Sequence, residues 1–166
     1  MNEFNEFMGF VEDNYQIKEI KGIDLENTIK NSNNKVFLFF NEEKNKTLDK
    51  YIDHLLHELG IQTKLKGFDY IKIALKLFIE NPKYKDNITT NLYPKIAKDK
   101  NTKSKNVEKA IHKAILDCMN NCNADIIDSY FGYSINIDRG HPTNKDFLIT
   151  ISNRIEYIYI DYLTKF

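Results

Sequence analysis

Asn106, Glu108, Lys109, His112 and Lys113 fall on one side of the stretch NTKSKNVEKAIHKAI, residues 101–115. Val107, Ala110, Ile111, Ala114 and Ile115 recur beside them at helical spacing and mark the buried side. The exposed set has a definite hydrogen-bonding chemistry. Lysine donates to guanine O6 and N7, asparagine pairs with adenine, and glutamate accepts from cytosine N4. On a helix lying in a major groove these side chains would meet base edges. A solvated helix would also turn its lysines outward, so the surrounding elements decide between the two readings.

Those elements are a short helix and a tight turn. Pro94 in LYPKIAK lacks a backbone donor and belongs in a first helical turn, which starts a helix near Leu92 or Tyr93 that ends near Lys100. Asn101 suits a left-handed turn position, because asparagine tolerates positive φ better than most residues. Ser104 or Lys105 then opens a longer helix running to about Asn120. Ala97, Asn101 and Val107 occupy the helix-turn-helix positions of close-approach residue, turn residue and junction plug. In such a motif the second helix enters the groove with its N-terminal half. Lys66, Lys95, Lys98, Lys103 and Lys105 would then lie near phosphates, fixing register without reading sequence.

Charge agrees. The formal net charge is zero, yet residues 60–115 hold thirteen lysines against five acidic residues. Residues 1–50 and 116–166 each carry three more acidic than basic residues. A positive middle segment of +8 points to a polyanionic partner.

A chain of 166 residues with 42% hydrophobic content supports one main domain. Residues 1–47 read as a small α/β extension: a helical FNEFMGFV, strand YQIKEI, helix GIDLENTIKN and strand KVFLFF, closed by the polar boundary NEEKNKT. Residues 48–166 read as helical, so the fold class is mainly α. Ile52, Leu55, Leu56 and Leu59 keep helical step before a stop at Gly60. A helix over 68–79 buries Ile71, Ala74, Leu75 and Phe78 and ends at Asn81-Pro82. Further helices are expected over 124–131 and from Asn144 onward, the last with Phe147, Ile151, Ile155 and Ile158 inside.

Catalytic and metal readings find little support. His54 and His57 lie three apart, whereas a zinc-protease motif needs H-E-x-x-H. Cys118 and Cys122, one helical turn apart, read as core or partly buried residues, and His141 precedes Pro142 with no triad partner. The six glycines form no phosphate-cradling loop, and neither a cofactor nor a metal is expected. No run reaches the eighteen apolar residues of a membrane span, and the acidic start MNEFNEFMGFVEDN is unlike a secretory signal. A cytoplasmic, nucleoid-associated protein without a membrane partner is expected.

Six motifs carry a resemblance: HELGI (57–61), KGFDYIKIA (66–74), LYPKIAK (92–98), VEKAIHKAI (107–115), FGY (131–133) and HPTNKDF (141–147). In order and spacing the chain resembles, over about residues 48–156, the C-terminal DNA-binding domain of stage zero sporulation protein A, the sporulation regulator of Firmicutes. The resemblance implies about six helices and a transcription factor that binds double-stranded DNA, often as tandem copies on TGTCGAA-like boxes. A homodimer, at least on DNA, is expected.

Three departures qualify what the resemblance implies. Family members usually carry arginine where this chain has Asn106, Lys109 and His112, keep Glu108, and often have histidine where Lys113 stands. Arginine's rigid bidentate fork is not reproduced by these side chains, so a box other than the family's is expected. The 47 residues before the shared region are too few for a phosphoacceptor receiver domain, so control by receiver phosphorylation is not expected. The aromatic tail EYIYIDYLTKF, residues 156–166, extends past the family's usual end. It and residues 1–47 are candidate contacts for a protein partner. The competing reading is an adaptor or antagonist that kept the fold and lost specific DNA binding.

Overall fold

The structure, a computed structural model, describes residues 35–132, 135 and 139–165. Among them six α-helices follow one another: α1 (Lys35–Glu58), α2 (Lys66–Glu80), α3 (Tyr93–Asp99), α4 (Ser104–Asn121), α5 (Ala124–Phe131) and α6 (Asn144–Lys165). A 3-10 turn, Pro82–Lys85, and a π-helical turn, Ile88–Leu92, connect α2 to α3. The described residues contain no strand, and the mainly α class is what the chain adopts.

One compact unit spans residues 52–157. Its core takes Ile52, Leu56 and Leu59 from α1, Ile71, Leu75 and Phe78 from α2, Ile96 from α3, Ile111 and Ile115 from α4, and Phe147 and Ile151 from α6. These are the periodic apolar positions of each helix, so burial follows the helical stripe. Helices α2 and α3 both pack on α4. Gly67 lets α2 approach: a Cβ there would lie 2.2 Å from the carbonyl oxygen of Ala110 and 2.6 Å from the Ala114 Cβ. No side chain fits that crossing.

The end of α1 shows why Gly60 stops a helix. Its φ is 70°, a left-handed conformation that glycine adopts without steric cost. The Ile61 amide donates to the Leu56 carbonyl at 3.0 Å and the Gly60 amide to the His57 carbonyl at 2.8 Å. This paired arrangement satisfies carbonyls the helix leaves open, and it brings Ile61 back to a buried position.

A second unit comprises residues 1–51 and 158–166, of which the structure describes the beginning of α1, with Leu48 and Tyr51 buried, and the end of α6. Here one expectation is corrected. KVFLFF, residues 35–40, is helical and not a strand, and the same helix continues through residues 41–47. An unbroken apolar run does not distinguish a strand from a buried helix. Neither glycine nor proline interrupts residues 35–59, and extending an existing helix is cheaper than starting a new element. The helices expected over FNEFMGFV and GIDLENTIKN and the strand over YQIKEI lie outside the described residues.

Candidate nucleic-acid interface

Helix α3, the turn and α4 form a helix-turn-helix around one left-handed residue. Asn101 has φ 50° and is the one non-glycine residue at positive φ among those described. The Thr102 amide donates to the Ala97 carbonyl at 2.8 Å, and the Asn101 amide to the Lys98 carbonyl at 3.3 Å. The turn therefore closes α3 with the same paired hydrogen bonds that close α1 at Gly60. Ala97 and Val107 are 4% and 0% exposed, so the close-approach and plug positions are filled as expected. Lys103 flanks α4 in extended conformation, and its carbonyl accepts from the amides of Asn106 and Val107.

The five side chains expected at base edges, Asn106, Glu108, Lys109, His112 and Lys113, are all exposed along α4. Two are held by neighbours. The Asn106 amide nitrogen donates to the Thr102 hydroxyl at 3.2 Å. The His112 ring meets the ring of His141 edge-on, with centroids 5.4 Å apart. His141 is oriented in turn, its Nδ1 lying 3.1 Å from the Pro142 carbonyl.

The lysines expected at phosphates divide into two kinds. Lys66, Lys98, Lys103 and Lys105 are exposed. Lys95 is also exposed but pairs with Asp99 one turn along α3, at 2.9 Å. The Asp99 hydrogen bond and charge raise the Lys95 pKa from its ordinary value. A phosphate reaching Lys95 has to compete with that carboxylate.

Both flanks of α4 are braced. On one, Gly67 presses against Ala110 next to exposed Lys66. On the other, the Asn144 amide donates to the Glu108 carbonyl at 3.0 Å and to the Tyr93 hydroxyl at 3.1 Å. Tyr93 is 3% exposed, and that burial raises its pKa against the opposing effect of the Asn144 hydrogen bond. Thr102, His141 and Asn144 do not stand out in the sequence as parts of this surface. Asn144 lies 36 positions from Glu108, a separation no helical periodicity spans. Thr102 leaves one faint signal, a hydroxyl four residues before an asparagine at a helix start.

The sequence pattern described as "Sporulation initiation factor Spo0A C terminal" matches residues 52–155. The chain belongs to that family. The match covers α2 to α5 whole and the adjoining parts of α1 and α6. The Spo0A C-terminal domain is a DNA-binding effector domain and not a catalytic one, so this chain is a DNA-binding regulator with double-stranded DNA as its partner. Three residues of the matched region that could suggest other chemistry, His57, Cys118 and Cys122, make packing contacts or are buried. His57 tilts against Phe68 with ring centroids 5.5 Å apart, and the Cys122 thiol points at the Glu58 carbonyl at 3.7 Å. Cys118 is fully buried, and its pKa is pushed up to about 12, chiefly by burial. Among the described residues no helix is long and apolar enough to cross a membrane.

Proposed function

We propose that this protein is a sequence-specific transcriptional regulator that inserts α4 into the major groove. Asn106, Glu108, Lys109, His112 and Lys113 read base edges, while Lys66, Lys98, Lys103 and Lys105 take phosphates and Lys95 does so at the expense of its pairing with Asp99. The observation that carries this reading is the state of the exposed face of α4. Two of its side chains make contacts of their own, Asn106 with Thr102 and His112 with His141, and such preorganisation favours a reading surface over a merely solvated one.

The protein acts in the cytoplasm at the nucleoid, and it binds as a homodimer on paired half-sites. The region ahead of residue 48 and the tail from residue 156 are its candidate contacts for a second copy or a regulatory protein. Those contacts are where this reading places its control. Selection from a pool of random duplexes tests the reading. An enriched motif supports the regulator. No enriched motif, together with a stoichiometric co-purifying protein, supports the adaptor reading and defeats this one.

A further inference from the structure

Asn106 and Thr102 together suggest which base the start of α4 recognises. We infer that Asn106 reads an adenine in the major groove and that Thr102 is its positioning residue. This inference rests on the regulator reading above and names part of its specificity.

Asn106 lies in the first turn of α4, the part of a recognition helix that reaches deepest, and its side chain is exposed. A primary amide places one donor and one acceptor side by side. Adenine presents the complementary pair in the major groove, N7 accepting and N6 donating. The amide nitrogen has two hydrogens. One goes to the Thr102 hydroxyl at 3.2 Å, which leaves the other hydrogen and the carbonyl oxygen for the base.

Thr102 is itself fixed. Its amide closes the turn onto Ala97, and the left-handed Asn101 before it sets the direction of the chain. The backbone that carries the hydroxyl is therefore anchored to α3, while the amide it contacts belongs to α4. An unheld asparagine would sample several rotamers and lose that freedom on binding, whereas the Thr102 hydrogen bond favours one of them beforehand. A hydroxyl both donates and accepts, so it can hold the amide in either orientation.

The test uses the full chain and duplexes enriched by the wild-type protein, each then titrated with every base pair replaced in turn. Wild type is expected to show one position with an adenine preference that Asn106→Ala removes, a loss of roughly 5- to 150-fold in discrimination. Thr102→Val keeps the shape and removes the hydroxyl, and it is expected to reduce the preference at that position by about two- to tenfold. Thr102→Ser restores it. The salt dependence of binding is expected to stay at its wild-type slope in all three variants, because no phosphate contact has been removed.

A motif that Asn106→Ala leaves unchanged, or a lost preference for a base other than adenine, overturns the assignment of Asn106. An undiminished adenine preference in Thr102→Val overturns the role of Thr102. A wild-type selection that enriches nothing overturns the regulator reading, and this inference falls with it.

Discussion

Asn144 holds the backbone of Glu108: its side-chain amide, at the first residue of α6, donates to that carbonyl at 3.0 Å and also reaches the Tyr93 hydroxyl. One amide thus ties α3, α4 and α6 together at the edge of the proposed reading surface. Asn144→Ala is expected to cost about 1–2 kcal/mol, since two neutral hydrogen bonds go and the Tyr93 hydroxyl is left without that partner. For a chain of this length each kcal/mol lowers the melting temperature by about 2–4 °C. Asn144→Asp should be worse, because its carboxylate would face the Glu108 carbonyl oxygen with like negative charge, whereas alanine only leaves the carbonyl without that donor. Thermal melts check the ranking. DNA affinity should fall in the same order.

Gly67→Ala sets two effects against each other. Alanine is the better helix former, by at most about 1 kcal/mol at the second residue of α2. Against that, its Cβ would sit 2.2 Å from the Ala110 carbonyl oxygen, a backbone atom that cannot rotate away. Overpacking of this kind costs about 1–3 kcal/mol, and the clash is expected to win. Urea denaturation should show a lower midpoint with an unchanged slope. DNA binding should weaken as well, because α2 and α4 can relieve the contact only by separating.

The thiol of Cys118 predicts a pH effect. Burial is the main cause that raises its pKa to about 12, with the nearby Cys122 and Asp117 adding to it. In the unfolded chain the thiol titrates near the ordinary value of about 8.5. The folded state therefore keeps a proton that the unfolded state releases. The stabilisation is complete below the unfolded pKa and is lost progressively as pH rises from there toward 12. The denaturation midpoint of wild type should fall more between pH 8 and pH 10 than that of Cys118→Ala, in which the thiol is absent. Equal falls in the two proteins would rule out Cys118 as the source.

Local features of this protein were legible in its sequence, and distant ones were not. Both ends of α3 and the start of α4 follow from Pro94, Asn101 and Ser104, each acting through its own backbone chemistry, and the structure agrees to within about a residue. The inner faces of α2 and α6 follow from apolar spacing in the same way. KVFLFF misleads because its apolar residues have no period, and the deciding factor is the helix it joins. The exposure of Asn106, Glu108, Lys109, His112 and Lys113 could be read from their spacing alone. Their supports could not, since His141 and Asn144 reach α4 only through the packing of α6, and Gly67 matters only once α2 crosses α4. The pairing of Lys95 with Asp99 is local and lies at the i, i+4 spacing that favours it, so it was open to recognition from sequence.

That pairing separates the lysines of the interface by what each contributes. Asp99→Asn frees Lys95 and removes a negative charge beside the phosphates, so affinity for every duplex should rise and the salt slope should steepen by about one. Lys98→Ala should do the reverse, weakening all duplexes alike and lowering the slope by about one. Lys109→Ala should instead flatten base preference at one position, because its side chain is exposed on α4 among those proposed to read bases. Fluorescence titrations at three or more salt concentrations, on an enriched duplex and a scrambled one, measure both quantities at once. Were Lys98→Ala to change base preference and Lys109→Ala only the slope, the two faces would have to be exchanged, and α4 would lie across the backbone instead of in the groove.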